Sequence, residues 1–143
     1  DTTRELGIAL VAFSPVARGA LGGALKDVTT LGDKDLRRSH PRFDDKNWPH
    51  NLKLIEQFDA LARANAVAPA QLALAWILAR GDHVHAIPGT TAIPHMHENF
   101  ASADLVIDGE VLDAAGKLIN QQTVWGHRYP EVMRGTIDTE DFA

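Results

Sequence analysis

Ile87-Pro-Gly-Thr-Thr-Ala-Ile-Pro-His-Met-His-Glu-Asn-Phe-Ala101 is the stretch around which the rest of the chain is arranged. Its approach, Val84 to Ile87, is short and apolar and reads as a buried strand; Pro88 and Gly89 stop it, and a helix starts within about one turn. Strand, glycine turn and helix start together make a place for an anion, because the unbonded N–H groups of a first helical turn carry the positive end of the helix dipole. The same local pattern also describes a plain strand-to-helix connection, so the surrounding residues have to decide.

Upstream, Ile8 to Phe13 is a second continuous apolar run, the pattern of a strand covered on both faces in a parallel sheet (strand 8–13). It follows Gly7, which ends a helix whose beginning is not seen, so the chain reads as starting mid-fold. The loop 14–24 after this strand holds a hydroxyl, a guanidinium and several glycines, at the strand end where α/β proteins place ligands. A long charged loop, 25–50, carries Arg37, Arg38 and Arg42. Amphipathic periodicity then predicts helices over 51–66 and 69–80, the second apolar on most of its surface. After strand 84–87 come a loop and helix, 88–103, a further helix, 110–121, and an aperiodic tail, 122–143. Two strands separated by helices, each followed by a polar loop, predict parallel βα units. A complete eight-unit barrel takes about 250 residues, so the chain corresponds to the last quarter of one plus a tail.

With 143 residues, 45% of them hydrophobic and 23% charged, the composition is that of one globular domain or a piece of one. Cysteine is absent, which excludes disulfides, a thiolate metal site and a cysteine nucleophile and suits a reducing, cytoplasmic setting. A formal charge of −5 argues against a general nucleic-acid footprint, and no run approaches the ~18 apolar residues of a membrane span. Neither nucleic acid nor membrane is expected as a partner; the oligomeric state is left open.

Several motifs in register resemble the C-terminal part of an aldo-keto reductase. They are Arg4-Glu-Leu-Gly-Ile-Ala-Leu-Val-Ala-Phe-Ser-Pro-Val-Ala-Arg-Gly19, Arg37-Arg38 with Pro41-Arg-Phe43, Asn51-Leu52, Pro69-Ala-Gln-Leu-Ala-Leu-Ala-Trp76, and Ile87-Pro-Gly-Thr-Thr91 with Glu98-Asn99. The resemblance implies a TIM (β/α)8 barrel that moves a hydride between NADPH and a small carbonyl substrate, with the strands at 8–13 and 84–87 as its seventh and eighth. It also implies that the family's Asp-Tyr-Lys-His constellation lies upstream of residue 1, leaving no catalytic residue in this chain; Tyr129, the only tyrosine, lies in the tail.

What the resemblance implies for this chain is a cofactor grip. Phe13 matches the aromatic residue that stacks on the nicotinamide ring. Ser14, Val16, Arg18, Gly19, Leu21 and Gly23 match the loop over the pyrophosphate. Gly89, Thr90 and Thr91 match the loop that holds the adenosine 2′-phosphate, and Glu98 with Asn99 the pair that contacts adenine. Ala92 and His95 stand where such reductases commonly carry Lys or Arg, so NADP is the expected cofactor with NAD possible. The tail residues Trp125, His127, Arg128 and Tyr129 match the loop that walls the substrate pocket.

Other readings compete with these. His83-x-His85 and His95-x-His97 are suggestive metal spacings, but neither belongs to a strong zinc motif, and no metal is expected. Arg37-Arg38-x-x-x-Arg42 is better placed beside a dinucleotide phosphate than on nucleic acid. The main rival is a non-catalytic one, a fragment or partial barrel acting only as a nucleotide-binding or interaction module. Its strands would then carry open apolar faces that invite pairing.

Overall fold

The computed structural model describes residues 1–137. A one-turn helix, α1 (Thr2–Glu5), leads into strand β1 (Leu10–Phe13). The chain then crosses over through helices α2 (Trp48–Ala64) and α3 (Pro69–Leu78) to strand β2 (Val84–Ile87), followed by α4 (Ile93–Ala101), α5 (Gly109–Leu118) and a short α6 (Glu131–Arg134). The strands pair in parallel, Leu10 opposite Val84 and Phe13 opposite Ile87. The last part of the expected tail 122–143 lies outside the described residues.

Where boundaries differ from the sequence pattern, local hydrogen bonds account for it. β1 starts at Leu10 rather than Ile8 because the Ile8 N–H donates to the Thr3 carbonyl (2.8 Å), extending the turn after α1. α2 starts at Trp48 rather than Asn51: Asp44 accepts from the Asn47 N–H with its side chain (2.7 Å) and from the Trp48 N–H with its carbonyl (2.8 Å). α5 stops at Leu118 because the Asn120 amide donates to the Gly116 and Lys117 carbonyls (3.1 and 3.0 Å) and so ends the helix. The loop 25–50 contains three 3-10 turns, at Val28–Thr30, Leu36–Ser39 and Pro41–Phe43, two of them capped by the side chains of Asp27 and Asp35.

The core lies among the helices. Trp48, Ile55, Phe58 and Ala62 form one face of α2 and meet Leu72 and Ala73 of α3, Ala115 of α5, and Ala20, Leu21 and Phe43 from the loops. Full burial of an aliphatic or aromatic side chain is worth about 1.5–3 kcal/mol, and Leu72 and Leu74 are 0% and 1% exposed. The mid-helix Gly116 is explained by packing: a Cβ there would lie 2.9 Å from the Trp76 indole nitrogen. Lys26 is ion-paired with buried Asp59, which ties the loop after β1 to α2.

The strands depart from expectation. Strand 8–13 was expected to be covered on both faces, but Leu10, Val11 and Phe13 of β1 are 44%, 54% and 51% exposed, and of β2 only Val84 is buried. α3 packs on β2, whereas β1 has only β2 as a substantial neighbour among the described residues. No single helix among them is long and apolar enough to cross a membrane.

Candidate functional site

Phe13 and Ile87 are opposite one another at the C-terminal ends of β1 and β2, so the loops beginning at Ser14 and Pro88 leave the sheet side by side. Paired strands run about 4.8 Å apart, close enough for one elongated ligand to touch both loops. These two loops hold most of the residues that the sequence marks for cofactor.

The first loop has a strained backbone. Three of the four described non-glycine residues with positive φ fall within it: Ser14 (52°), Ala17 (50°) and Arg18 (56°). Each costs about 1–2 kcal/mol for a residue with a Cβ, and such strain clusters at functional sites. The turn is closed by its own backbone: the Ala17 N–H donates to the Ser14 carbonyl and the Gly19 N–H to the Val16 carbonyl (both 2.9 Å). Arg37 secures the turn by donating to the Arg18 carbonyl (3.2 Å) while its other nitrogens grip Asp35 (2.9 and 2.6 Å).

That grip holds the Asp35 carboxyl at about 2, chiefly through the Arg37 side chain and then the Arg37 backbone N–H. A carboxyl lowered on folding stabilises the fold fully above its ordinary value of about 3.9 and loses that contribution as the pH falls. The melting-temperature difference between wild type and Asp35→Asn is therefore expected to stay constant from neutrality to about pH 5 and to shrink toward pH 2. A difference independent of pH would show that the pair does not form.

Of the three arginines in the long loop, Arg37 and Arg38 serve the chain's own structure; Arg38 donates to the Leu31 carbonyl (2.8 Å). This corrects the placement of the whole cluster beside a phosphate. Arg42 alone of the three lines a cavity of about 260 Å3, together with Ser14, Arg18 and Leu21 from the loop and Arg128 from the tail. Burial, then the charges of Arg128 and Arg18, push Arg42 below its ordinary range.

The tail is stitched to α2 rather than loosely laid over it. Buried Asn51 donates to the carbonyls of Arg42 and Trp125 (both 2.9 Å) and accepts from the Trp125 N–H (2.9 Å). His50 stacks on Trp125 with ring centroids 3.9 Å apart, and the Arg42 Nε donates to the Gly126 carbonyl (3.2 Å). Gly126 has φ +88° and no room for a side chain, since a Cβ would lie 2.9 Å from the Pro41 carbonyl oxygen. Arg128 thereby lies 4.4 Å over the Phe13 ring, and Tyr129 sits between Arg18 (5.2 Å) and Arg128 (5.6 Å). His127 is exposed.

The structure thus brings Ser14, Arg18, Leu21 and Arg128 to one cavity, with Phe13 reached through Arg128. Val16 instead packs on the core, and Gly23 lies against Pro69. Gly19 faces Arg37. Thr90 and Asn99 line a second cavity of about 340 Å3 beside β2, floored by Leu74, Leu78 and Met96. Gly89, Thr91 and His95 are exposed, Ala92 and Glu98 half-buried, and the Glu98 carbonyl accepts from Gln71 (3.3 Å) and Ser102 (3.1 Å). Asn51 was not among the predicted site residues and Arg42 only as part of the arginine cluster, although Pro41-Arg-Phe43 and Asn51-Leu52 are two of the motifs that carry the resemblance. No group of three or more His, Asp or Glu side chains able to hold a metal ion occurs among the described residues.

A sequence model described as the Aldo/keto reductase family matches residues 1–120. An aldo-keto reductase of Schizosaccharomyces pombe, whose name specifies NADP(+), is 35% identical over 127 residues, which cover 89% of this chain and 37% of that protein. Another, from Strobilurus tenacellus, is 34% identical over 141 residues, 99% of this chain and 42% of that protein. The chain therefore spans 37–42% of the length of these curated relatives. Among solved structures, a glycerol dehydrogenase from Gluconobacter oxydans superposes with a TM-score of 0.72 at 22% identity over 81% of this chain and 35% of that one. A thermostable aldo-keto reductase in complex with the inhibitor epalrestat superposes with a TM-score of 0.54, at 22% identity over 82% and 32%.

Proposed function

We propose, because this chain belongs to the aldo/keto reductase family, that it carries the dinucleotide grip of an oxidoreductase interconverting carbonyl compounds and alcohols. Its fold is the matching part of a TIM (β/α)8 barrel, seen here as a two-stranded parallel sheet with its helices. The observation that carries the reading is the Phe13–Ile87 register, which sets the two ligand-facing loops side by side.

The residues present fit a nicotinamide dinucleotide. The first loop has a turned backbone and Arg18 for phosphate, and Phe13 offers the ring face that Arg128 leaves open. The second loop leads into α4, which starts without a side-chain cap, so the Ile93 and His95 N–H groups remain available to an anion, Pro94 between them having none. When bound, the dinucleotide supplies or accepts the hydride at the substrate carbon.

This chain's part is to bind and orient. Phe13 sets the nicotinamide plane; Ser14, Val16, Arg18, Gly19, Leu21 and Gly23 pass over the pyrophosphate. Gly89, Thr90, Thr91 and His95 face the ribose 2′ position, while Glu98 and Asn99 meet adenine. Trp125, His127, Arg128 and Tyr129 wall the substrate side. No residue here is assigned the proton transfer at the carbonyl oxygen.

The relative whose name specifies NADP(+) supports NADP as the cofactor, and His95 in place of a fixed cation leaves room for NAD. His95→Arg is expected to tighten NADPH several-fold while leaving NADH nearly unchanged, because only the former carries a 2′-phosphate for the new guanidinium. An equal effect on both would place His95 away from the 2′ position.

The proposal is tested by titrating NADPH into the purified protein and following nicotinamide fluorescence, with turnover of a nitrobenzaldehyde measured alongside. Saturable binding that NADP reverses is the expected result, and no response from a folded sample would overturn the reading. Because no residue here is assigned the proton transfer, binding without turnover is the expected outcome for this chain, and turnover would show that a proton-donating group lies within it.

A further inference from the structure

The cavity of about 260 Å3 has an unusual lining. Three guanidinium groups, from Arg18, Arg42 and Arg128, stand at its wall, while Leu21, Phe43, Trp48, Ile55, Ile119 and Val124 make the remainder largely apolar. None of the three arginines is ion-paired with a described acidic residue; the pairs that do form, Lys26 with Asp59 and Arg37 with Asp35, lie outside this lining. Converging like charges beside an apolar space is unfavourable unless an anion joins them. The arrangement is also built: Asn51 fixes the carbonyl of Arg42 and the tail that carries Arg128, and Arg42 is held through its Nε to Gly126. Its terminal nitrogens remain for a ligand.

We propose that Arg42 and Arg128, next to Arg18 of the pyrophosphate loop, recognise a carboxylate borne on an apolar body, so that the substrates of the proposed reductase are carbonyl compounds carrying an acid group. A carboxylate matches the planar fork of a guanidinium, and a small aryl or alkyl body matches the apolar wall. A pyrophosphate has acceptors over its whole surface and gains nothing from Phe43, Trp48 or Ile55. Arg128 links the two places: it lines the cavity and stacks at 4.4 Å on Phe13. A molecule anchored here by its acid group lies beside the ring proposed to orient the nicotinamide. The word substrate rests on the reductase reading; the binding of the acid does not.

The test is a calorimetric titration of the protein with benzoate, with its neutral counterpart benzamide and with inorganic pyrophosphate, and of the Arg128→Gln variant, whose exposed side chain can be changed without disturbing the core. Benzoate is expected to bind at least tenfold more tightly than benzamide, and Arg128→Gln to abolish that preference. Equal binding of benzoate and benzamide, or a preference that survives Arg128→Gln, would overturn the proposal. Pyrophosphate binding that is more than tenfold tighter than benzoate and is weakened by Arg128→Gln would also overturn it, by giving Arg42 and Arg128 to the cofactor along with Arg18. NADPH titration is the separate readout: a protein that binds benzoate selectively but not NADPH keeps the acid site and loses the reductase reading.

Discussion

Replacing Asn51 by alanine is expected to cost about 3 kcal/mol of stability and to free the segment from Thr123 to Tyr129. The side chain is 5% exposed and makes all its hydrogen bonds to backbone: two donated to the carbonyls of Arg42 and Trp125, one accepted from the Trp125 N–H. Truncation leaves those groups without a partner in a place that water reaches poorly, at about 1–3 kcal/mol for a buried group. The consequence for the site is larger than the stability loss alone implies. Asn51 holds both the segment of Arg42 and the tail that carries Arg128, so selective binding of an acid should weaken along with amide-exchange protection of the tail. Gly126→Ala approaches the same contact from the other side, since its new Cβ would meet the Pro41 carbonyl oxygen at 2.9 Å on a backbone with φ +88°. It should release the tail while leaving Asn51 in place. Unchanged exchange protection over residues 123–129 in either variant would show that these contacts do not hold the tail.

The contrast between what was readable in the sequence and what was not follows the range of the interactions. Ile55, Phe58 and Ala62 announce the buried face of α2 because helical packing repeats every three or four residues, and the two strand ends announce themselves through Pro88, Gly89 and the small residues after Phe13. Arg37, Arg38 and Arg42 look alike in the sequence. What separates them is the partner each finds: Asp35, the Leu31 carbonyl, and a tail residue 84 positions away. The part Asn51 plays in holding the tail is invisible for the same reason, its partners there lying 74 positions further on. The left-handed backbone at Ser14, Ala17 and Arg18 has no signal at all, because only glycine advertises that conformation and the loop spends its glycines elsewhere. The continuous apolar run of β1 reports what the strand is suited to face, not which neighbours it has here, and its open face is the one expected of a partial barrel.

Trp48→Ala is expected to cost about 4 kcal/mol and to weaken NADPH as well. Trp48 is 6% exposed, stacks on Phe43 with ring centroids 5.5 Å apart, and donates its indole N–H to the Lys26 carbonyl (3.3 Å). It therefore joins three things at once: the first turn of α2, the loop that follows the proposed pyrophosphate-binding segment, and the wall of the cavity. Leu72→Ala separates stability from site. Leu72 is 0% exposed within α3 and lines neither cavity, so its truncation should cost about 2–5 kcal/mol yet leave NADPH affinity unchanged in the folded fraction. Both losses are large beside a typical folding free energy of about 5–15 kcal/mol, so the affinities are best compared at low temperature, where each variant remains folded. Added indole supplies a further check, because an apolar space the size of the lost ring can be refilled by a molecule of the same shape. Indole should restore melting temperature and NADPH affinity to Trp48→Ala and change neither in Leu72→Ala. If NADPH weakens equally in both variants, the loop after β1 depends on overall stability rather than on Trp48.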